Sequence, residues 1–198
     1  MSSTAAIVHQ ILHSEANFNR TPGMSSIQPL LGKMLLPSYG GSNSVWTTAM
    51  LFFQSCLLIG YLYAYLLSRF TTPLLACVIH GTLWLLAFLT LPFSTTQFQT
   101  ESLSKYAALE LLINLISHAA FPLTLLGASA PLLQWWFANT QPKSDNPYSL
   151  YIASNVGTLA GLLSYPLLIE PVLGLQIQSK GWLACWILLT LTLSACIW

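Results

Sequence analysis

The sequence predicts an all-α fold, a polytopic bundle of about five transmembrane helices. Three observations carry this expectation. Hydrophobic residues make up 55% of the 198 residues and charged residues only 6%, whereas a soluble domain carries about 25% charged residues. With so few charges the chain could not cover the surface of a water-soluble globule, and the mean hydropathy of +0.65 points the same way. Apolar runs of about 20 residues, the length that crosses a ~30 Å hydrocarbon core, recur along the chain, and nearly all charges fall between them.

In chain order, residues 1–45 read as a leader and an interfacial segment. Residues 46–198 read as the transmembrane helical domain. The leader lacks the basic start and continuous apolar core of a signal peptide and contains His9, His13, Glu15 and Asn17. The apolar run at 29–36 carries a single lysine, Lys33, and predicts a short amphipathic element at the membrane surface. The turn-rich stretch 38–44 comes next.

The expected spans are 46–67, 74–92, 106–127, 148–169 and 181–198. Pro122 lies inside the third and predicts a kink there. Ala128-Ser129-Ala130-Pro131 predicts a helix break, with 132–137 as a separate interfacial turn. Trp46, Trp135, Trp136, Trp182 and Trp198 stand at span ends, as in an aromatic belt. Cys56, Cys77, Cys185 and Cys196 sit in apolar runs, which favours buried thiols over disulfides. By charge count, Arg20, Lys33, Lys105 and Lys180 fall on one side and Arg69 and Lys143 on the other, which orients the N-terminus toward the cytoplasm.

Polar residues inside lipid are the candidate functional groups, because they are expensive there. Glu110, Asn114 and His118 recur at i, i+4 and i+8 and line one helix face. A carboxylate and an imidazole on one face can pass a proton or hold a polar substrate; Glu110 can equally snorkel toward Lys105. Asn155 is an amide that must find a partner in lipid. Gly157 and Gly161 give the spacing of a close helix-packing seam. Gln54, Tyr61 and Tyr65 form a stripe, read as an interhelical hydrogen-bonding seam ahead of a pore lining. Cys77 and His80 have a metal-compatible spacing, but a site needs three or four ligands and only His118 offers a third. No metal and no cofactor is therefore expected. The net charge of +1 suggests no nucleic-acid partner.

The chain also resembles a known family. Gln28 to Pro37 followed by Gly40-Gly41-Ser42 and Val45-Trp46-Thr47-Thr48 is one matching run. Ala130-Pro131-Leu132-Leu133-Gln134-Trp135-Trp136-Phe137 is a second. Asn146-Pro147-Tyr148, Leu150 to Gly157, Tyr165-Pro166 and Glu170-Pro171 form the third. These runs, spread over 28–183, are similar to the membrane region of bacterial spermidine-synthase-like integral membrane proteins. That family joins a major-facilitator-like membrane region to an aminopropyltransferase-like domain. The stretch 17–23 stands where family members carry a further span, and no transferase motif is present, so no catalytic residue carries over. In the family pattern the segment 28–44 would be extracytoplasmic, opposite to the charge count.

The resemblance implies a multi-pass protein of the bacterial inner membrane. It implies a transporter-like or accessory module with the lipid bilayer as its medium, paired with a transferase-like domain or another membrane subunit. In this reading Glu110, Asn114, His118 and Asn155 bind the substrate, and the chain catalyses no reaction of its own. The alternatives are a structural anchor for a separately encoded protein and a truncated fragment without function.

Overall fold

The computed structural model describes residues 27–91, 107–140, 156 and 159–197; side chains are described to 136 in the second stretch and to 191, apart from 189, in the last. The leader, the approach to the third span and much of 141–158 lie outside these residues. Every long element among the described residues is helical, and there is no strand. The helices are α1 (Ile27–Tyr39), α2 (Asn43–Phe70), α3 (Pro73–Leu86, continued by a 3-10 turn at Ala87–Thr90), α4 (Ala107–Thr140), α5 (Leu159–Val172) and α6 (Leu175–Ile197).

The expected short segment at 29–36 is helical, within α1, and packs on protein. Ile27, Leu30, Leu31, Met34 and Leu35 follow a helical period and are all buried. This face packs on α2 and α6. At 13 residues it is about 20 Å long, too short to cross a bilayer. Gly40, at φ +71°, ends α1 by taking the left-handed conformation. Its amide donates to the Leu36 carbonyl at 2.9 Å, closing the last turn.

Helices α2 and α3 start on side-chain caps. The Ser42 hydroxyl accepts from the Val45 amide and the Thr72 hydroxyl from the Leu75 amide, and Pro73 sits at the start of α3, where its missing N–H costs nothing. Together with α4 they are the three described helices long and apolar enough to cross a membrane. Their outward residues need an apolar solvent: Leu58 is 69% exposed and Leu89 83%.

The most extensive packing joins α2 and α4. Small residues allow it. Ala49, Cys56, Gly60 and Ala64 on α2, and Ala119, Gly127 and Ala128 on α4, let the two backbones approach. A Cβ on Gly60 would lie 2.6 Å from the Thr124 carbonyl oxygen, so only glycine fits at this crossing. The expected packing pair Gly157/Gly161 is only half accessible to comparison. Gly161 is buried and Gly157 lies outside the described residues.

Three expectations need correcting. Helix α4 runs unbroken from Ala107 to Thr140 through both Pro122 and Pro131, without the break at 128–131. In an apolar surround every freed backbone group is expensive, so a helix that loses one hydrogen bond at a proline is retained around it. The Gln54, Tyr61 and Tyr65 stripe faces outward instead of forming a seam; Tyr61 and Tyr65 are 55% and 62% exposed. The opposite face, with its small side chains, is the one that can approach α4 closely. Trp136 and Trp182 are buried core residues instead of belt residues. Cys56, Cys77 and Cys185 form no disulfide among the described residues.

Beyond α4, helix α5 contains a π-helical turn at Tyr165–Ile169, where the Glu170 amide donates back to the Tyr165 carbonyl. The tight turn into α6 is held by side chains. Tyr165 Oη donates to Gln178 Oε1 at 3.1 Å, and Gln178 Nε2 donates to the Leu173 carbonyl at 2.7 Å. Close by in sequence, Glu170 accepts from Lys33 Nζ of α1 at 2.9 Å, the one ion pair among the described residues. Lys33, the single charge of this apolar segment, therefore ties α1 to the end of α5.

Candidate functional site

Two polar regions of the bundle compete as functional sites. The first is the face predicted on α4. Glu110 stands in the first turn of α4, half-exposed, where the positive end of the helix dipole accepts a carboxylate. Asn114, one turn on, donates from Nδ2 to Tyr39 Oη of α1 at 3.3 Å. His118 is half-buried. The structure brings Asn114 against α1. Asn155 lies outside the described residues. Among the described residues no three histidines, cysteines or acids come together to hold a metal, so Cys77 and His80 gain no third ligand there.

The second region lies deep between α2, α3 and α4, and its centre is His80 of α3. His80 is only 1% exposed. Its ring is surrounded by aromatic rings. Tyr63 of α2 stacks at 5.9 Å between centroids, Trp84 of α3 lies at 5.8 Å, and Trp136 of α4 meets it edge-on at 6.4 Å. The aromatic column continues into α6. Trp84 and Trp186 stack at 3.9 Å with planes 8° apart, and Trp182 lies beyond at 6.2 Å. Trp84 Nε1 donates to Thr190 Oγ1 at 3.0 Å, and that hydroxyl donates in turn to the Trp186 carbonyl.

The hydrogen bonds around His80 are compatible with a proton on Nε2. His80 Nε2 lies 3.2 Å from Ser129 Oγ. The same hydroxyl lies 2.9 Å from the Leu125 carbonyl, to which it can donate its one hydrogen. In that arrangement Ser129 accepts from the ring, Nε2 is the N–H and Nδ1 of the neutral imidazole is a bare lone pair. Nδ1 is fully buried and has no hydrogen-bond partner among the described residues. The same holds for Tyr63 Oη on the neighbouring ring, and for Nε1 of Trp182 and Trp186. Leaving one such group unsatisfied costs roughly 1–3 kcal/mol, so among the described residues this cluster is a place for a hydrogen-bonding guest.

The two regions are distinct. Asn114 and Ser129 are separated by about 22 Å along α4 at a helical rise of about 1.5 Å per residue. Sequence reasoning noticed His80 only as half of a metal pair. The expected break at 128–131 hid Ser129, which reaches His80 because α4 continues as a helix. Two signals were present: Trp84 stands one turn after His80, and Tyr63 lies in an uncharged span. Compared with known proteins, the chain matches no family profile, no curated protein and no solved structure.

Proposed function

We propose that the chain is a multi-pass membrane module of the transporter-like or accessory kind, which takes a small polar molecule into its helix bundle at His80. The observation that carries this reading is the fully buried imidazole whose Nδ1 has no partner among the described residues. A purely structural bundle in lipid gains nothing from such a group, and intramembrane polar residues tend to mark substrate or ion pathways.

The ion pair of Lys33 with Glu170 supports five crossings. Lys33 precedes α2 and Glu170 ends α5. Three crossings, by α2, α3 and α4, would leave the two residues on opposite faces of a core about 30 Å thick. A contact of 2.9 Å calls for an even number of crossings between them, and the apolar helix α5, near whose end Glu170 stands, is assigned to the fourth. Helix α6, with 23 residues and about 35 Å long, is the fifth. The runs similar to the spermidine-synthase-like membrane proteins support the same reading and a bacterial inner-membrane location.

The test is uptake by reconstituted vesicles of small polar solutes, drawn from polyols, amines and amino acids, against empty vesicles. The expected outcome is uptake of at least one class, reduced at least tenfold in His80→Leu. Flux that survives His80→Leu but is lost in Glu110→Gln would move the site to the face of Glu110, Asn114 and His118. No flux for any solute, with a stable protein partner that co-purifies, would replace transport with the anchor role.

A further inference from the structure

The unpartnered groups next to His80 specify what kind of guest they take. With its hydrogen on the Leu125 carbonyl, Ser129 accepts from Nε2–H, and in that tautomer Nδ1 offers a lone pair and requires a donor. Tyr63, stacked on the same ring, has a hydroxyl that lacks a partner among the described residues and can donate. Both atoms are buried among aromatic rings, and no charged side chain is paired with either among the described residues. The complementary guest donates one hydrogen bond and accepts another, between rings whose centroids lie 5.9 Å apart. That is a hydroxyl group, carried by water or by a small uncharged alcohol. A carboxylate could accept from Tyr63 but could not donate to Nδ1. An apolar guest could do neither.

We infer that His80 Nδ1 and Tyr63 Oη form a two-point site for one neutral hydroxyl, which donates to the imidazole and accepts from the phenol. Ser129 is the positioning residue that holds the imidazole in the receptive tautomer. The site rests on the reading of a bundle that admits a polar guest, yet its test is independent of flux.

The experiment is nitrogen NMR of the full-length protein in lipid nanodiscs with 15N-labelled histidine, the His80 signals being assigned by their loss in His80→Asn. Expected is a protonated Nε2 and an unprotonated Nδ1 whose resonance is displaced from the bare lone-pair position by a hydrogen bond. In Tyr63→Phe, which keeps the ring and removes only the hydroxyl, the Nδ1 resonance moves toward the bare position. Glycerol is the probe for the source of the hydroxyl. A further, saturable shift of Nδ1 assigns the site to an alcohol, and a hydrogen-bonded Nδ1 indifferent to glycerol assigns it to water. A protonated Nδ1 overturns the inference, as does a bare Nδ1 in the wild type with and without glycerol. An Nδ1 signal unmoved by Tyr63→Phe overturns it equally. Absence of solute flux with a bonded Nδ1 would remove the transport reading and leave this site standing.

Discussion

Replacing Gly60 by alanine adds one methyl group at the closest approach of α2 and α4. That carbon would sit 2.6 Å from the Thr124 carbonyl oxygen, 3.1 Å from the Ala128 amide nitrogen and 3.2 Å from the Gly127 carbonyl carbon. All three atoms are backbone, so no side chain can swing away. To restore ordinary contact near 3.4 Å, one helix must move by about 0.8 Å or tilt, and overpacking of this kind costs about 1–3 kcal/mol. Alanine also gains up to about 1 kcal/mol of helix propensity over glycine, which blurs a comparison with the wild type. Gly181→Ala supplies the proper reference. It makes the same chemical change inside α6, where a Cβ meets nothing within 4 Å. The difference between the two variants isolates the crossing. The assay is thermal unfolding of the detergent-solubilised protein monitored by tryptophan fluorescence. At roughly 2–4 °C per kcal/mol for a chain of this length, Gly60→Ala should melt about 2–12 °C below Gly181→Ala. Gly127→Ala should fall between them, because its Cβ meets mainly the flexible end of Leu57 at 3.2 Å. A midpoint for Gly60→Ala equal to or above that of Gly181→Ala would refute the close crossing.

Two further perturbations probe the ends of the bundle. Lys33 and Glu170 keep 35% and 43% of their side-chain surface exposed, so a double-mutant cycle with Lys33→Met and Glu170→Gln should give a coupling of about 0.2–1 kcal/mol; zero coupling would deny the contact. Gln178→Leu strips Tyr165 Oη of its acceptor and should cost roughly 1–3 kcal/mol. Adding Tyr165→Phe should recover part of that loss, because removing both partners is milder than orphaning one; a double variant less stable than the single one would contradict the hydrogen bond.

The helices are legible in the sequence where apolar length alone decides. Expected span 46–67 lies within α2, 74–92 coincides over 74–90 with α3 and its 3-10 extension, and 106–127 coincides from Ala107 with the first part of α4. Length and charge expulsion are local properties, so a single chain displays them. The stretch beyond Gly127 misleads because proline signals a break in water, whereas in lipid the cost of orphaned backbone groups keeps the helix going. Lys33 and Glu170 are 137 residues apart, and no local pattern announces their contact. The His80 cluster is assembled from α2, α3, α4 and α6, and its tautomer depends on the hydroxyl of Ser129. Each of these residues looks unremarkable in its own run. The face of Glu110, Asn114 and His118 is readable as a stripe, but the stripe does not reveal that Asn114 is engaged by Tyr39.

The separation of Lys33 from Glu170 also dictates an order of events during biosynthesis. Ribosomes add about 5–20 residues per second, so the acid is polymerised roughly 7–27 s after the lysine it will bind. Throughout that interval the leucine and methionine face of α1 has α2 beside it but lacks α6, its other support. Helix α1 therefore lacks part of its packing until α5 and α6 have been made, and these two helices complete its docking.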